Sequence, residues 1–228
     1  MPRGRLLSWT CRAGMGPAAR PKEAIMAKEN LTELVFILDK SGSMAGLVDD
    51  TIGGYNALLE KNREAEGEAL VSTVLFDNYS QVLHDRVDIA HVKPLTRKDY
   101  QPGGCTALLD AVGGAIAYHQ TVRKILPAEL HPAHTLFCIT TDGYENASRR
   151  YGYKQVKHMI QAAKEQGWEF MFLGANIDVA AEAGKLGIDA ECAVSFEATV
   201  KGCAAAFDEL SLASMAVRGG RSAKMRRA

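Results

Sequence analysis

The chain has 228 residues, 47% of them hydrophobic and 24% charged, with a formal net charge of zero. That length and apolar content suit one domain with a sizeable core and exclude an intrinsically disordered chain. Gly, Asn, Lys or Glu interrupts every apolar run short of the roughly 18 residues that a membrane span requires.

The charge is unevenly spread. Residues 1–22 carry Arg3, Arg5, Arg12, Arg20 and Lys22 without an acid, and residues 217–228 carry Arg218, Arg221, Lys224, Arg226 and Arg227 without one. Taking these ten from the 27 basic residues leaves 17 against 27 acids, so residues 23–216 carry −10 by formal count. An acidic body between two basic ends disfavours nucleic acid as a partner except through those ends. Residues 1–30 read as a disordered leader or a mis-assigned start, with Met26 as a second candidate start; 31–216 read as the domain and 217–228 as a basic disordered tail. Leu6-Leu7-Ser8-Trp9 is too short for the ~7–15 apolar residues at the centre of a signal peptide. The five cysteines show no CxxC spacing and the six histidines no HxxxH spacing. Zinc ribbons and zinc enzymes are therefore disfavoured, and the unpaired thiols fit a reducing, cytoplasmic setting.

In chain order, Leu34 to Leu38 is a short apolar run that reads as a buried strand. Leu47 to Arg63 has helical spacing. Ala69 to Phe76 and Gln81 to Val87 read as strands joined by the short turn Asp77-Asn78-Tyr79-Ser80, which makes them antiparallel neighbours. Leu108 to Tyr118 reads as a small-residue helix, and His134 to Thr140 as a central parallel strand. Helix Lys154 to Gln166, strand Trp168 to Leu173, helix Val179 to Leu186, strand Cys192 to Phe196 and helix Lys201 to Ala216 follow. Alternating strands and helices imply a doubly wound α/β sheet, mostly parallel, with one antiparallel edge strand and helices on both faces.

Three segments concentrate oxygen at strand ends. The first strand delivers Asp39, Ser41 and Ser43 into the turn after it, with Gly42 free to curl the chain between the serines. Gly103-Gly104-Cys105-Thr106 places a hydroxyl at a helix start, and Thr140-Thr141-Asp142-Gly143 places a carboxylate after another apolar run. One carboxylate and hydroxyls at every second position suit a hard divalent cation, magnesium or manganese. Taken singly, each segment also reads as a helix cap or turn, since Ser, Thr and Asp are favoured there. In open α/β sheets, ligands bind at the carboxyl ends of strands where strand order reverses, so the three segments converge if their strands are neighbours.

Asp-x-Ser-x-Ser, Gly-Gly-x-Thr and a strand-terminal Thr-Asp-Gly, in that order, are similar to the metal-ion-dependent adhesion site (MIDAS) of von Willebrand factor A domains. The resemblance covers roughly residues 33–210 and is closest to the small, bacterial, single-domain type. It implies a Rossmann-like fold and a magnesium or manganese ion held by Asp39, Ser41, Ser43, Thr106 and Asp142. By the same resemblance the two serines bind the ion directly, Thr106 joins in a ligand-engaged state, and the two aspartates act directly or through water. The implied function is non-enzymatic: an adaptor domain that binds a protein partner's acidic residue through the ion. The alternative is a metal-dependent hydrolase or phosphatase at the same strand ends. Against it, Ser41 occupies the place of the second acid that haloacid-dehalogenase-type phosphatases need, and neither G-x-S-x-G nor a phosphate loop is present.

Overall fold

The computed structural model describes residues 28–223. The expectations for a leader, and for a tail from residue 224 onward, lie outside the described residues. Six strands form one sheet: β1 (Lys28–Asp39), β2 (Glu68–Phe76), β3 (Ser80–Asp88), β4 (Pro132–Thr141), β5 (Trp168–Gly174) and β6 (Ala193–Ser195). Their order is β3-β2-β1-β4-β5-β6, parallel throughout except for the antiparallel edge pair β2–β3. This is the doubly wound sheet with one antiparallel edge strand that the sequence pattern implies.

Five helices, α1 (Val48–Glu64), α2 (Leu108–Ile125), α3 (Tyr153–Lys164), α4 (Val179–Leu186) and α5 (Val200–Arg218), cover the sheet. β1 is apolar without alternation because both of its faces are buried. Leu34, Phe36 and Leu38 pack towards α1 and α5, while Val35 and Ile37 pack towards α2, α3 and α4. Among the described residues no helix is long and apolar enough to cross a membrane.

Helices α1 and α5 approach closely because Gly54 leaves room for a ring. A Cβ placed on Gly54 would lie 2.3 Å from Phe207 Cδ2 and 3.0 Å from its Cβ, so turning the ring alone gives no relief. Gly54→Ala is expected to destabilise the fold by about 1–2 kcal/mol, the overpacking cost outweighing alanine's better helix propensity. A lowered urea midpoint with an unchanged m-value checks this.

Strand β1 has β2 on one side and β4 on the other, and the chain fills the two halves of the sheet in turn. The reversal of strand order therefore falls between β1 and β4. The register Leu38↔Thr140 brings the two carboxyl ends level, which places Asp39 and Asp142 beside the same crevice.

Candidate metal centre

The first segment leaves β1 at Asp39 and enters a 3₁₀ segment, Gly42–Leu47. Met44 and Leu47 are buried in the core and pin that segment down, leaving Ser43 at the surface. Ser41 stands immediately before the 3₁₀ segment, yet its hydroxyl makes no capping bond. It lies instead 3.1 Å from Ser43 Oγ, and Ser43 Oγ donates to Asp142 Oδ1 at 2.5 Å.

Asp39, only 1% exposed, accepts Ser41 N–H at Oδ1 (2.7 Å) and the Thr141 hydroxyl at Oδ2 (2.6 Å). Thr106 belongs to the same group. A Cβ placed on Gly143 would lie 3.4 Å from Thr106 Oγ1 and 3.6 Å from Ser43 Oγ, so both hydroxyls border the same small space beside Gly143. Asp39, Ser41, Ser43, Thr106 and Asp142, read from three distant segments, are thus brought together.

The start of α2 does not rely on Thr106 for capping. The first N–H groups of α2 are satisfied from outside the segment: Leu109 N–H donates to Glu145 Oε2 and Asp110 N–H to Ser148 Oγ, both at about 3 Å. Thr106 is therefore not needed as a cap. Its own backbone is clasped by the loop after β4, with Thr106 N–H donating to Asn146 Oδ1 and Thr106 O accepting from Asn146 and Ala147.

Burial pushes both Asp39 and Asp142 above the ordinary carboxylate value, with hydrogen bonds from Thr141, Ser41 and Ser43 opposing the rise. Among the described residues no Lys or Arg pairs with either carboxylate. Lys40, the nearest base in sequence, is turned away to Asp77 Oδ2 at 2.7 Å. Two buried carboxylates with three hydroxyls and no counter-charge form a donor set that fits a hard cation. Among the described residues no cluster of three or more His, Cys, Asp or Glu exists, so the group is distinguished by its hydroxyls.

No family model and no curated protein matches the chain. Solved structures do. The von Willebrand factor domain of the type V pili tip protein Mfa5 from Porphyromonas gingivalis aligns with a TM-score of 0.58 at 13% identity, over 86% of this chain and 97% of that one. Proximal thread matrix protein 1 of the mussel byssus aligns at 0.57 and 14%, over 83% of this chain and 47% of that one. The chain has the von Willebrand factor A fold. Manganese-loaded TRAP from Plasmodium vivax also aligns, at 0.54 and 15%, over 78% and 72% of the two chains. The mussel protein is known in a further form with a zinc-occupied MIDAS motif. This chain spans about half the length of the mussel protein, 47%.

Sequence reading missed several residues that build the crevice in this von Willebrand A fold. Tyr100 is fully buried beneath it, and its hydroxyl donates to the Asp39 carbonyl. Thr141 braces the Asp39 carboxylate by donating its hydroxyl proton to Oδ2, and the same hydroxyl oxygen lies 3.1 Å from Gly143 O. Asn78, in the β2–β3 turn, accepts Cys105 N–H at 2.9 Å and holds the Gly-Gly-Cys-Thr loop, where Gly104 adopts a left-handed φ of +71°. Glu145 and Asn146, which follow Asp142 closely in sequence, face inward to the start of α2 and to Thr106. Tyr144 stays on the rim, half exposed, with Asp178 N–H donating to its hydroxyl. Cys105 is an exposed thiol beside Thr106.

Proposed function

We propose that the chain is a divalent-metal-dependent protein-interaction domain whose magnesium or manganese ion is held by Asp39, Ser41, Ser43, Thr106 and Asp142. The observation that carries this reading is the convergence of Ser41, Ser43 and Thr106 hydroxyls on two buried carboxylates that lack a basic partner. When bound, the ion supplies positive charge able to attract a carboxylate of a partner protein. Three of the five groups are neutral hydroxyls, so where the two aspartates act through water the groups touching the ion directly leave its charge uncancelled for an outside carboxylate. Asp39 is oriented by Ser41 N–H and Thr141, and Lys40 is drawn aside by Asp77, so Lys40 does not compete for the partner's acid.

The zinc and manganese named for the mussel and Plasmodium proteins support a divalent ion in the same fold here. Both oxygens of Asp39 are engaged by donors, which supports an interaction site over a phosphatase with an aspartate nucleophile. The four described cysteines are free thiols, in keeping with a cytoplasmic setting.

Affinity capture from the native cells tests this function. With magnesium present, wild-type bait is expected to retain a partner that EDTA releases and that Ser43→Ala bait does not retain. A partner held equally under chelation contradicts the reading. So does turnover of phosphate or carboxylic esters that is lost in Asp39→Ala.

A further inference from the structure

Strand β3 is the outermost strand, and among the described residues its outer edge pairs with no other strand. Sheets ordinarily blunt such edges with charge, bulges and twisted residues. In β3 the charged residues and the left-handed residue are confined to the lower half. Asp85, Arg86 and Asp88 are charged, Arg86 adopts a left-handed φ of +50°, and the ladder shifts register on both sides of the Thr73–His84 pair. The upper half, Ser80-Gln81-Val82-Leu83, is uncharged, and Val82 is 62% exposed.

Behind this upper half runs a groove of about 290 Å³ between the β2–β3 hairpin and α2. Val74, Val82, Ala111, Gly114 and Ala115 make its walls apolar. A Cβ placed on Gly114 meets nothing within 4 Å, so the helix leaves open space where a side chain would stand. At the lower end, the Tyr118 hydroxyl donates to both oxygens of Asp85, at 2.7 and 2.8 Å. Asp85 is exposed and forms no ion pair among the described residues. A free carboxylate beside a partly exposed phenol ring favours a cationic side chain, and the formal charge of the body, −10 over residues 23–216, acts in the same sense.

We propose that the β3 edge and this groove bind an extended segment of a partner protein by strand addition. Its aliphatic or aromatic side chain fills the space over Gly114. A lysine or arginine two residues further along, on the same face of a regular strand, meets Asp85 and Tyr118, because the register shift after Val82 brings both Val82 and Asp85 to the groove that Val74 and Ser72, two positions apart on β2, also line. Main-chain hydrogen bonds to β3 supply general affinity, and the two side chains set register and direction. No residue of this surface belongs to the oxygen cluster at the strand ends, so the surface operates without the metal.

Panning a phage-displayed library of random linear peptides on the full chain in EDTA tests the proposal. The selected peptides are expected to share an apolar residue and a Lys or Arg two positions apart. Their synthetic forms should bind Gly114→Leu at least about tenfold more weakly than wild type, Asp85→Asn about threefold more weakly, and Ser43→Ala equally well. Leucine at Gly114 enters open space and improves helix propensity, so that variant should melt at or above the wild-type temperature. A library that yields no binder, peptides enriched in acids, or peptides indifferent to Gly114→Leu would overturn the proposal. So would a dimer in sedimentation that Val82→Asp dissolves, since a second copy would then occupy the edge.

Discussion

Asparagine in place of Asp39 is expected to stabilise the metal-free protein while abolishing its response to magnesium. The wild-type carboxylate is buried and held above its ordinary value of 3.8 by desolvation, so carrying its charge at neutral pH costs the folded state free energy. Asparagine keeps the shape. Its oxygen can accept Ser41 N–H and its amide can donate to Thr141, whose hydroxyl still reaches Gly143 O. A gain of about 1 kcal/mol follows from removing the uncompensated charge. Wild type at a hundredfold excess of magnesium over Kd should gain about 2.7 kcal/mol, or about 5–10 °C in Tm, and the variant none.

The pH dependence has a definite sign. A carboxyl whose folded pKa is raised adds stability below that pKa and loses it as pH rises through it. Metal-free wild type should therefore become more stable relative to Asp39→Asn as pH falls from neutrality towards the window just above 3.8. The magnesium-induced shift should shrink over the same window. Differential scanning fluorimetry across pH, with and without magnesium, reads both effects. A variant that retains the full metal shift contradicts the role given to Asp39.

Ending the chain after Ala216 is expected to destabilise the fold by about 4 kcal/mol. Read from charge alone, residues from 217 onward belong to a solvated basic tail. In the structure α5 continues to Arg218, and Val217 and Ala223 are buried. The Arg218 guanidinium donates to the carbonyls of Asn62, Ala65, Glu66 and Gly67, tying the end of α5 to the turn between α1 and β2. Arg218→Ala should cost about 2–3 kcal/mol through these charge-assisted bonds. Arg218→Lys should recover only part of that, because a single ammonium cannot span four carbonyls. Urea midpoints of the three variants give the comparison, and a truncated chain as stable as the full one would restore the tail reading.

Arg218 also shows where sequence reading stops. Its partners lie about 150 positions away, and nothing local distinguishes it from Arg221 or Arg226. The strands were legible because both sides of the sheet are covered, which writes continuous apolar runs such as Leu34 to Leu38 into the chain. The oxygen set was legible because Asp, Ser and Thr recur in three short segments, two at the ends of β1 and β4 and one just before α2. Tyr100 and Thr141 were not, since a buried tyrosine and a strand threonine carry no mark of the atom they support. Helix α2 runs on to Ile125, beyond the Tyr118 at which its small-residue pattern ends, because its last turns carry Gln120, Arg123 and Lys124 at the surface. The roles of Glu145 and Asn146 were not legible because their targets, Leu109 N–H and Thr106 N–H, lie 36 and 40 positions back in the chain.

Crystals grown in manganese chloride give the most direct test of the central claim, through an anomalous difference map at the manganese edge. The account predicts one strong peak enclosed by Asp39, Ser41, Ser43, Thr106 and Asp142, absent from crystals of Ser43→Ala grown in the same salt. Saturating manganese with no density there, or with the ion seated elsewhere on the molecule, would contradict it.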